Sequence, residues 1–318
     1  MMNESTWKTL LSRHLSQLLL IAALAGLMLY LSAASPFFWQ WENLRNIADQ
    51  SALMMILGVG MTLVIIAGGI DLSVGAIAAL SGIIMALLLK SGTNSTAALT
   101  AGLVVGVLAG LSTGGLISRM RLNPFIVTLA MMSVIRGVAL ILSQGMPVYN
   151  FPAEVTWLGK GFAAGLPVPL WLALAVVLAG VLVLNTTRFG QYVQAIGGNE
   201  EALHRSGVQV RLYKTAIYAL SGFCAALAGI IVAARLNTAE PTAGWMFELE
   251  AIAAVILGGT SMKGGVGSVA GTVIACLLLG VLRNGLTILS IHSYYQQLLI
   301  GLIILFAVVS SEIREGIS

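Results

Sequence analysis

TRFGQYVQAIGGNEEALHRSGVQVRLYK, residues 187–214, is the most polar stretch of the chain, and the rest is read outward from it. It carries Arg188, Glu200, Glu201, His204, Arg205, Arg211 and Lys214 in a chain where Asp, Glu, Lys and Arg together make up only 9%. A short helix is written inside it with both ends marked. Asn199 suits the N-cap, because its side-chain oxygen can accept from a free N–H of the first turn. Glu200 and Glu201 then fall where the helix dipole favours negative charge, and His204 and Arg205 where it favours positive charge. Ser206 follows, and Gly207 stands where helices most often turn left-handed as they end. A solvated connecting loop is one reading of such a segment; a capped helix held ready for a partner is the other.

The flanking sequence decides the class. The 318 residues are 58% hydrophobic, with a mean hydropathy of +0.97, whereas an ordinary soluble domain is about 25% charged. So few charges cannot cover a soluble surface of this size, so the chain reads as a polytopic membrane protein. The net charge of +4 and a pI near 9.2 do not indicate nucleic acid, because the basic residues sit in short loops between apolar runs. Cys224 and Cys276 each fall inside an apolar span, where a thiol behaves as a small hydrophobe, so neither a disulfide framework nor a zinc site is expected. His14, His204 and His292 lie scattered without a nucleophile or metal-ligand spacing nearby, which leaves an intramembrane enzyme unsupported.

Apolar runs at residues 15–31, 50–67, 72–89, 97–117, 123–143, 166–186, 212–234, 249–262, 266–286 and 294–310 predict an all-α, polytopic integral membrane protein. About ten transmembrane helices are expected, within a range of eight to ten. The first run is too long for a signal-peptide core and is expected to be retained, although Ser32-Ala33-Ala34 imitates a cleavage site. The run at 249–262 is short for a crossing and reads as a tilted or re-entrant helix. With ten crossings and a cytoplasmic N-terminus, the inside loops hold Lys8, Arg13, Arg119, Arg121, Arg188, Arg205, Arg211, Lys214, Lys263 and Arg314. The outside loops hold only Arg45, Lys90, Lys160 and Arg235, as the positive-inside bias requires. The same assignment puts Trp39, Trp41, Trp157, Trp245, Tyr149, Tyr294 and Tyr295 at the outer interface, and both termini and the polar stretch in the cytoplasm.

Several residues invite a functional reading. Gly69-Ile70-Asp71-Leu72-Ser73-Val74-Gly75 joins two apolar runs with almost no spacer, and Asp71 or Ser73 can cap the next helix. A carboxylate so placed caps, pairs or lines a water-filled pathway. A second hinge, Gly258-Gly259-Thr260-Ser261-Met262-Lys263-Gly264-Gly265-Val266-Gly267, echoes the first. It is not a phosphate loop, since the G-x-x-x-x-G-K-[ST] pattern is absent and no strand precedes it. Arg136, a dozen residues past Pro124, lies near mid-membrane, where a salt bridge to Glu250 is expected. Glu248 opens the same short run as Glu250, and Arg283 lies near the end of the ninth. Gly102, Gly106, Gly110, Gly114 and Gly115 supply a small-residue face for close helix packing.

Four pieces together resemble a known family: Gly69-Ile70-Asp71-Leu72-Ser73-Val74-Gly75, Asn123-Pro124-Phe125-Ile126-Val127-Thr128-Leu129-Ala130, Ala195-Ile196-Gly197-Gly198-Asn199, and Glu250-Ala251-Ile252-Ala253-Ala254-Val255-Ile256-Leu257-Gly258-Gly259-Thr260-Ser261. The chain is similar, from about residue 43 to 309, to the membrane permease subunit of bacterial ABC importers of the ribose, arabinose and xylose type. That group lies within a wider one that includes branched-chain amino-acid permeases. Met262 and Lys263 depart from the residues often seen in such relatives. The resemblance implies a single permease domain, residues 1–318, in the bacterial inner membrane, with a cytoplasmic coupling segment at 187–214. It implies that Ala195, Ile196, Gly197, Gly198, Asn199, Glu200, Glu201, Ser206 and Gly207 dock into a separate ATPase subunit, so that this chain is no enzyme and needs no cofactor or metal.

A second permease subunit, identical or not, and a periplasmic solute-binding protein are further implied partners. Pathway or hinge candidates are Gly69, Asp71, Ser73, Gly75, Asn123, Pro124, Arg136, Glu250, Gly258, Gly259, Thr260 and Ser261. The expected function is passage of a monosaccharide or sugar-like solute into the cytoplasm. The alternatives are a stand-alone secondary transporter or facilitator, or an ABC permease for a branched-chain amino acid, a nucleoside or an autoinducer.

Overall fold

Helices account for nearly all the regular structure. The computed structural model describes residues 4–292, 294–299, 301, 302, 305 and 309, with side chains described from residue 17 onward. Its helices are α1 (Glu4–Ala34), α2 (Trp41–Ile66), α3 (Val74–Lys90), α4 (Ser95–Met120), α5 (Pro124–Ser143), α6 (Ala153–Lys160), α7 (Val168–Thr186), α8 (Arg188–Arg205), α9 (Val210–Leu236), α10 (Phe247–Leu257) and α11 (Val269–Ile288). Four two-residue strands complete it: β1 (Val148–Tyr149), β2 (Phe162–Ala163), β3 (Leu166–Pro167) and β4 (Thr238–Ala239). The strands pair antiparallel, β1 with β4 and β2 with β3. The chain is an all-α polytopic membrane protein.

Among the described residues, seven helices are long and apolar enough to cross a bilayer: the part of α1 from residue 17, and α2, α4, α5, α7, α9 and α11. They coincide with seven of the ten expected runs. The run at 72–89 is the 17-residue α3. The run at 249–262 proves to be only the 11-residue α10, about 16 Å long at 1.5 Å per residue and half a hydrocarbon core of about 30 Å. Its last five residues belong to a turn, which hydropathy cannot distinguish from helix. Part of the expected run at 294–310, and the cytoplasmic placement of Arg314, Lys8 and Arg13, rest on residues or side chains outside those described.

The centre of the bundle is α2, whose residues from Ser51 to Ile66 are all buried. A helix apolar all round is stable only where neighbours cover every face, and α2 is covered by α7, α9, α10 and α11. Two polar ties fix its register. The hydroxyls of Thr62 and Thr272 share a 2.8 Å hydrogen bond, and Asn284 Nδ2 donates to Asn43 Oδ1 at 2.8 Å. By contrast, α1 lies at the periphery with Leu18, Leu19, Leu29 and Tyr30 exposed. Cys224 and Cys276 are free and buried.

The most extensive helix pairing is α4 against α9, and its glycines explain it. A Cβ added at Gly106 would strike Ala226 and the Gly222 carbonyl, and one at Gly110 the Tyr218 carbonyl. Gly102 and Gly114 are equally filled, by Ser81 and Ile230 and by Thr215 and Tyr218. Backbones approach this closely only where no side chain intervenes. Gly115 does not share the face: a Cβ there meets nothing. The helical period turns it away from α9.

Candidate functional site

The first hinge begins where α2 stops. Gly68, at φ +75°, carries the chain out of the helix. Its N–H bonds Ile65 O and that of Gly69 bonds Val64 O, the paired bonds of a Schellman ending. The extended backbone that follows delivers Asp71 into full burial. Asp71 Oδ1 accepts from Ser73 N–H at 3.0 Å and from Ser73 Oγ at 2.6 Å, while Oδ2 accepts from Ser221 Oγ on α9 at 2.8 Å. Three donors account for a carboxylate that burial would otherwise make costly. Asp71 thus both turns the chain into α3 and pins that turn to α9. Ser73 occupies the N-cap position of α3 without a side-chain cap bond.

Tyr218, one turn before Ser221, stands beside this hinge. Its hydroxyl is buried with no hydrogen-bond partner among the described residues, and a Cβ on Gly69 would strike it. Neither Tyr218 nor Ser221 was among the sequence candidates. Their spacing of three on one helix face, polar within an apolar span, was the signal available.

The polar stretch folds as its residues dictate. Most of it is α8, which Asn199, at φ −159° and ψ 91°, breaks into two helical pieces, and its last residues, from Val210, begin α9. Asn199 Oδ1 accepts from Ala202 N–H at 2.9 Å, so Asn199 caps the second piece. Glu201 pairs with Arg205 one turn on at 3.1 Å, and Glu200 reaches Lys214 at 2.9 Å. Gly207 follows at φ +87°. The first piece is seated by buried Val193 and Ile196, which pack with Leu63, Ile66, Tyr218 and Val269. The second is exposed at Glu200, Glu201, His204 and Arg205.

The second hinge repeats the first. Gly259, at φ +85°, follows α10, with its N–H on Ile256 O and Thr260 N–H on Val255 O, another Schellman ending. Gly258 fits tightly against Gly271 and Thr272 at the start of α11. Thr260 Oγ1 accepts from Ser268 N–H at 3.4 Å, and Ser261 N–H bonds Val266 O at 3.0 Å, closing the turn. The two hinges touch. Gly265 N–H donates to Ile66 O at 2.8 Å, and Gly197 of α8 packs directly on that bond. Three of the sequence motifs therefore meet at one point.

The other candidates lie apart. Asn123 caps α5 by accepting from Phe125 N–H at 2.9 Å, and Pro124 is its first residue. Arg136 does not pair with Glu250 as expected. Its Nη1 donates to the carbonyls of Pro241 and Ala243, at 2.8 and 2.6 Å, and Glu248 lies within its electrostatic reach. Glu250 instead binds Arg283 of α11. The reason is the segment between β4 and α10, which leads inward until Gly244 meets Gly75 at the start of α3. Arg136 faces this backbone rather than the side of α10. A cavity of about 180 Å³ lies between α3, α9 and that segment, with Ala78, Gly82, Gly229, Thr238 and Glu240 on its walls.

Comparison with known proteins accords with this arrangement. Residues 43–308 match the model of the branched-chain amino acid transport system / permease component family. The chain is 44% identical over 292 residues to the ribose import permease protein RbsC of Escherichia coli (strain K12), covering 91% of each. It is 43% identical to the ribose import permease protein RbsC of Bacillus subtilis (strain 168), over 89% of this chain and 88% of that one. It is 35% identical to the L-arabinose transport system permease protein AraH of Escherichia coli (strain K12), over 88% and 85%. A match across most of the chain, with its hinges and polar helix inside the matched region, makes this chain a member of the branched-chain amino acid transport system permease family.

Proposed function

We propose that the chain is the membrane subunit of an ATP-driven importer, passing a monosaccharide from a periplasmic binding protein to the cytoplasm. The observation that carries this reading is the capped second half of α8. It is charged and exposed, while Gly197, two residues before its cap, rests on both hinges. A rigid capped element in that position is what a separate ATPase subunit would push on, rocking the spans between outward- and inward-open states. Residues 195–207 are the docking segment, within a single permease domain that spans residues 1–318.

Ribose is the first solute to test, because the relatives at 43–44% identity are named ribose import permeases. Small residues around the cavity between α3 and α9 suit a pathway that holds its cargo weakly. Counted over about ten crossings, the ten-to-four basic bias of the loops supports cytoplasmic termini, and the family resemblance supports residence in a bacterial inner membrane. A second permease subunit completes the pathway.

The test is radiolabelled ribose uptake together with co-purification of the ATPase subunit, in wild type and in Asn199→Pro combined with Gly207→Val. Membrane levels are expected to hold while uptake and ATPase binding disappear together. Uptake that persists with no ATPase attached would show a self-sufficient transporter instead.

A further inference from the structure

We infer that Gly197 is the positioning residue through which movement of α8 reaches both hinges at once; the inference rests on the importer reading above. Three glycine pairs from distant parts of the chain converge: Gly68-Gly69, Gly197-Gly198 and Gly264-Gly265. The hydrogen bond from Gly265 N–H to Ile66 O, 2.8 Å long, joins the turn after α2 to the turn before α11. A Cβ on Gly197 would fall onto both atoms of that bond.

The remaining contacts are backbone on backbone. Gly264, at φ +88°, would place a Cβ 3.0 Å from both Gly197 Cα and Gly68 N. Gly265, at φ +78°, would place one 3.2 Å from Gly198 N and Cα. At this junction backbone meets backbone, so a displacement of α8 there cannot be absorbed by a change of rotamer. It must move the two turns together or break the bond between them. Each turn starts a helix: α3 through Asp71, whose carboxylate is fastened to Ser221, and α11 through Ser268, whose Oγ accepts from Gly271 N–H at 3.2 Å. Gly115 on α4 is the control, because a Cβ there meets nothing within 4 Å and it lies outside the docking segment.

The experiment uses the full complex with its ATPase subunit and binding protein in proteoliposomes, and radiolabelled D-ribose as the probe. Gly197→Ala is expected to lower uptake per co-purified ATPase about tenfold or more, whereas Gly115→Ala on α4, where a Cβ also meets nothing, stays within about twofold of wild type. A loss of transport per docked ATPase is what a merely structural role for Gly197 would not produce. Wild-type uptake in Gly197→Ala overturns the inference and leaves the importer reading standing.

A second measurement covers the case in which Gly197→Ala does not reach the membrane. Spin labels on Gln194→Cys and Met262→Cys, both exposed positions, report the distance between α8 and the second hinge in the otherwise wild-type complex. It is expected to stay constant between the nucleotide-free and ATP-trapped states. A change of about 5 Å, one helical turn, would mean that the junction slips, and the inference falls. Wild-type vesicles that import ribose without the ATPase subunit overturn the importer reading itself, and this inference with it.

Discussion

Ser221 donates a 2.8 Å hydrogen bond to Asp71, 150 residues earlier in the chain, and both side chains are buried. The bond ties the turn that starts α3 to the middle of α9. Asp71→Ala would leave the Ser73 and Ser221 hydroxyls without their acceptor and is expected to cost about 2–4 kcal/mol. Asp71→Asn keeps the Oδ1 acceptor for Ser73 and is expected to cost about 1 kcal/mol. Thermal unfolding of the detergent-purified permease reads the difference. Equal midpoints for the two variants would refute the role given to the carboxylate.

The cap on the exposed half of α8 is the second test. Asn199→Ala removes the acceptor for Ala202 N–H and is expected to weaken that helix by about 1 kcal/mol. Co-purified ATPase should fall severalfold while the permease stays in the membrane, and Asn199→Asp should restore it. Full ATPase recovery with the alanine variant would mean that docking does not need the capped form.

Along α4, position matters more than residue type. Gly110→Leu drives a side chain into the Tyr218 carbonyl and is expected to destabilise by about 1–3 kcal/mol or more. Gly115→Leu points into open surroundings and should leave the unfolding midpoint unchanged. If both variants lost stability alike, the packing face would be misassigned.

A double-mutant cycle addresses the tie between α2 and α11. The hydroxyls of Thr62 and Thr272 bond each other, and whichever accepts in that bond donates its own proton to its helix, Thr62 to Gly58 O or Thr272 to Ser268 O. Thr62→Val and Thr272→Val are therefore each expected to be mild. Their coupling should lie between about 0.6 and 1.7 kcal/mol, the range for interhelical hydrogen bonds in membranes. Strictly additive effects would place the two hydroxyls out of contact.

Much of this was legible because it is local. The cap at Asn199, the left-handed Gly207 and the glycine face of α4 each depend on residues within a turn or two. What stayed hidden is tertiary. The run at 249–262 is apolar throughout, yet a Schellman ending at Gly259 stops α10 halfway along it. The pairing of Glu250 with Arg283 rather than Arg136 depends on the inward course of the segment before α10, which no periodicity encodes. Gly68, Gly197 and Gly264 look like three unrelated turns until the fold stacks them. Ser221 gives little signal in sequence because a serine hydroxyl in an apolar helix is usually satisfied by its own backbone, and only the fold brings Asp71 to it.

The shortness of α10 also bears on how the chain enters the membrane. Eleven residues carrying Glu248 and Glu250 make a poor insertion signal by themselves. During synthesis, Arg136 of α5 is already in place when Glu248 emerges, whereas Arg283 appears only once most of α11 has been made. The pairing of Glu250 with Arg283 therefore ties the insertion of α10 to that of α11, whose arginine offsets the charge the short helix carries.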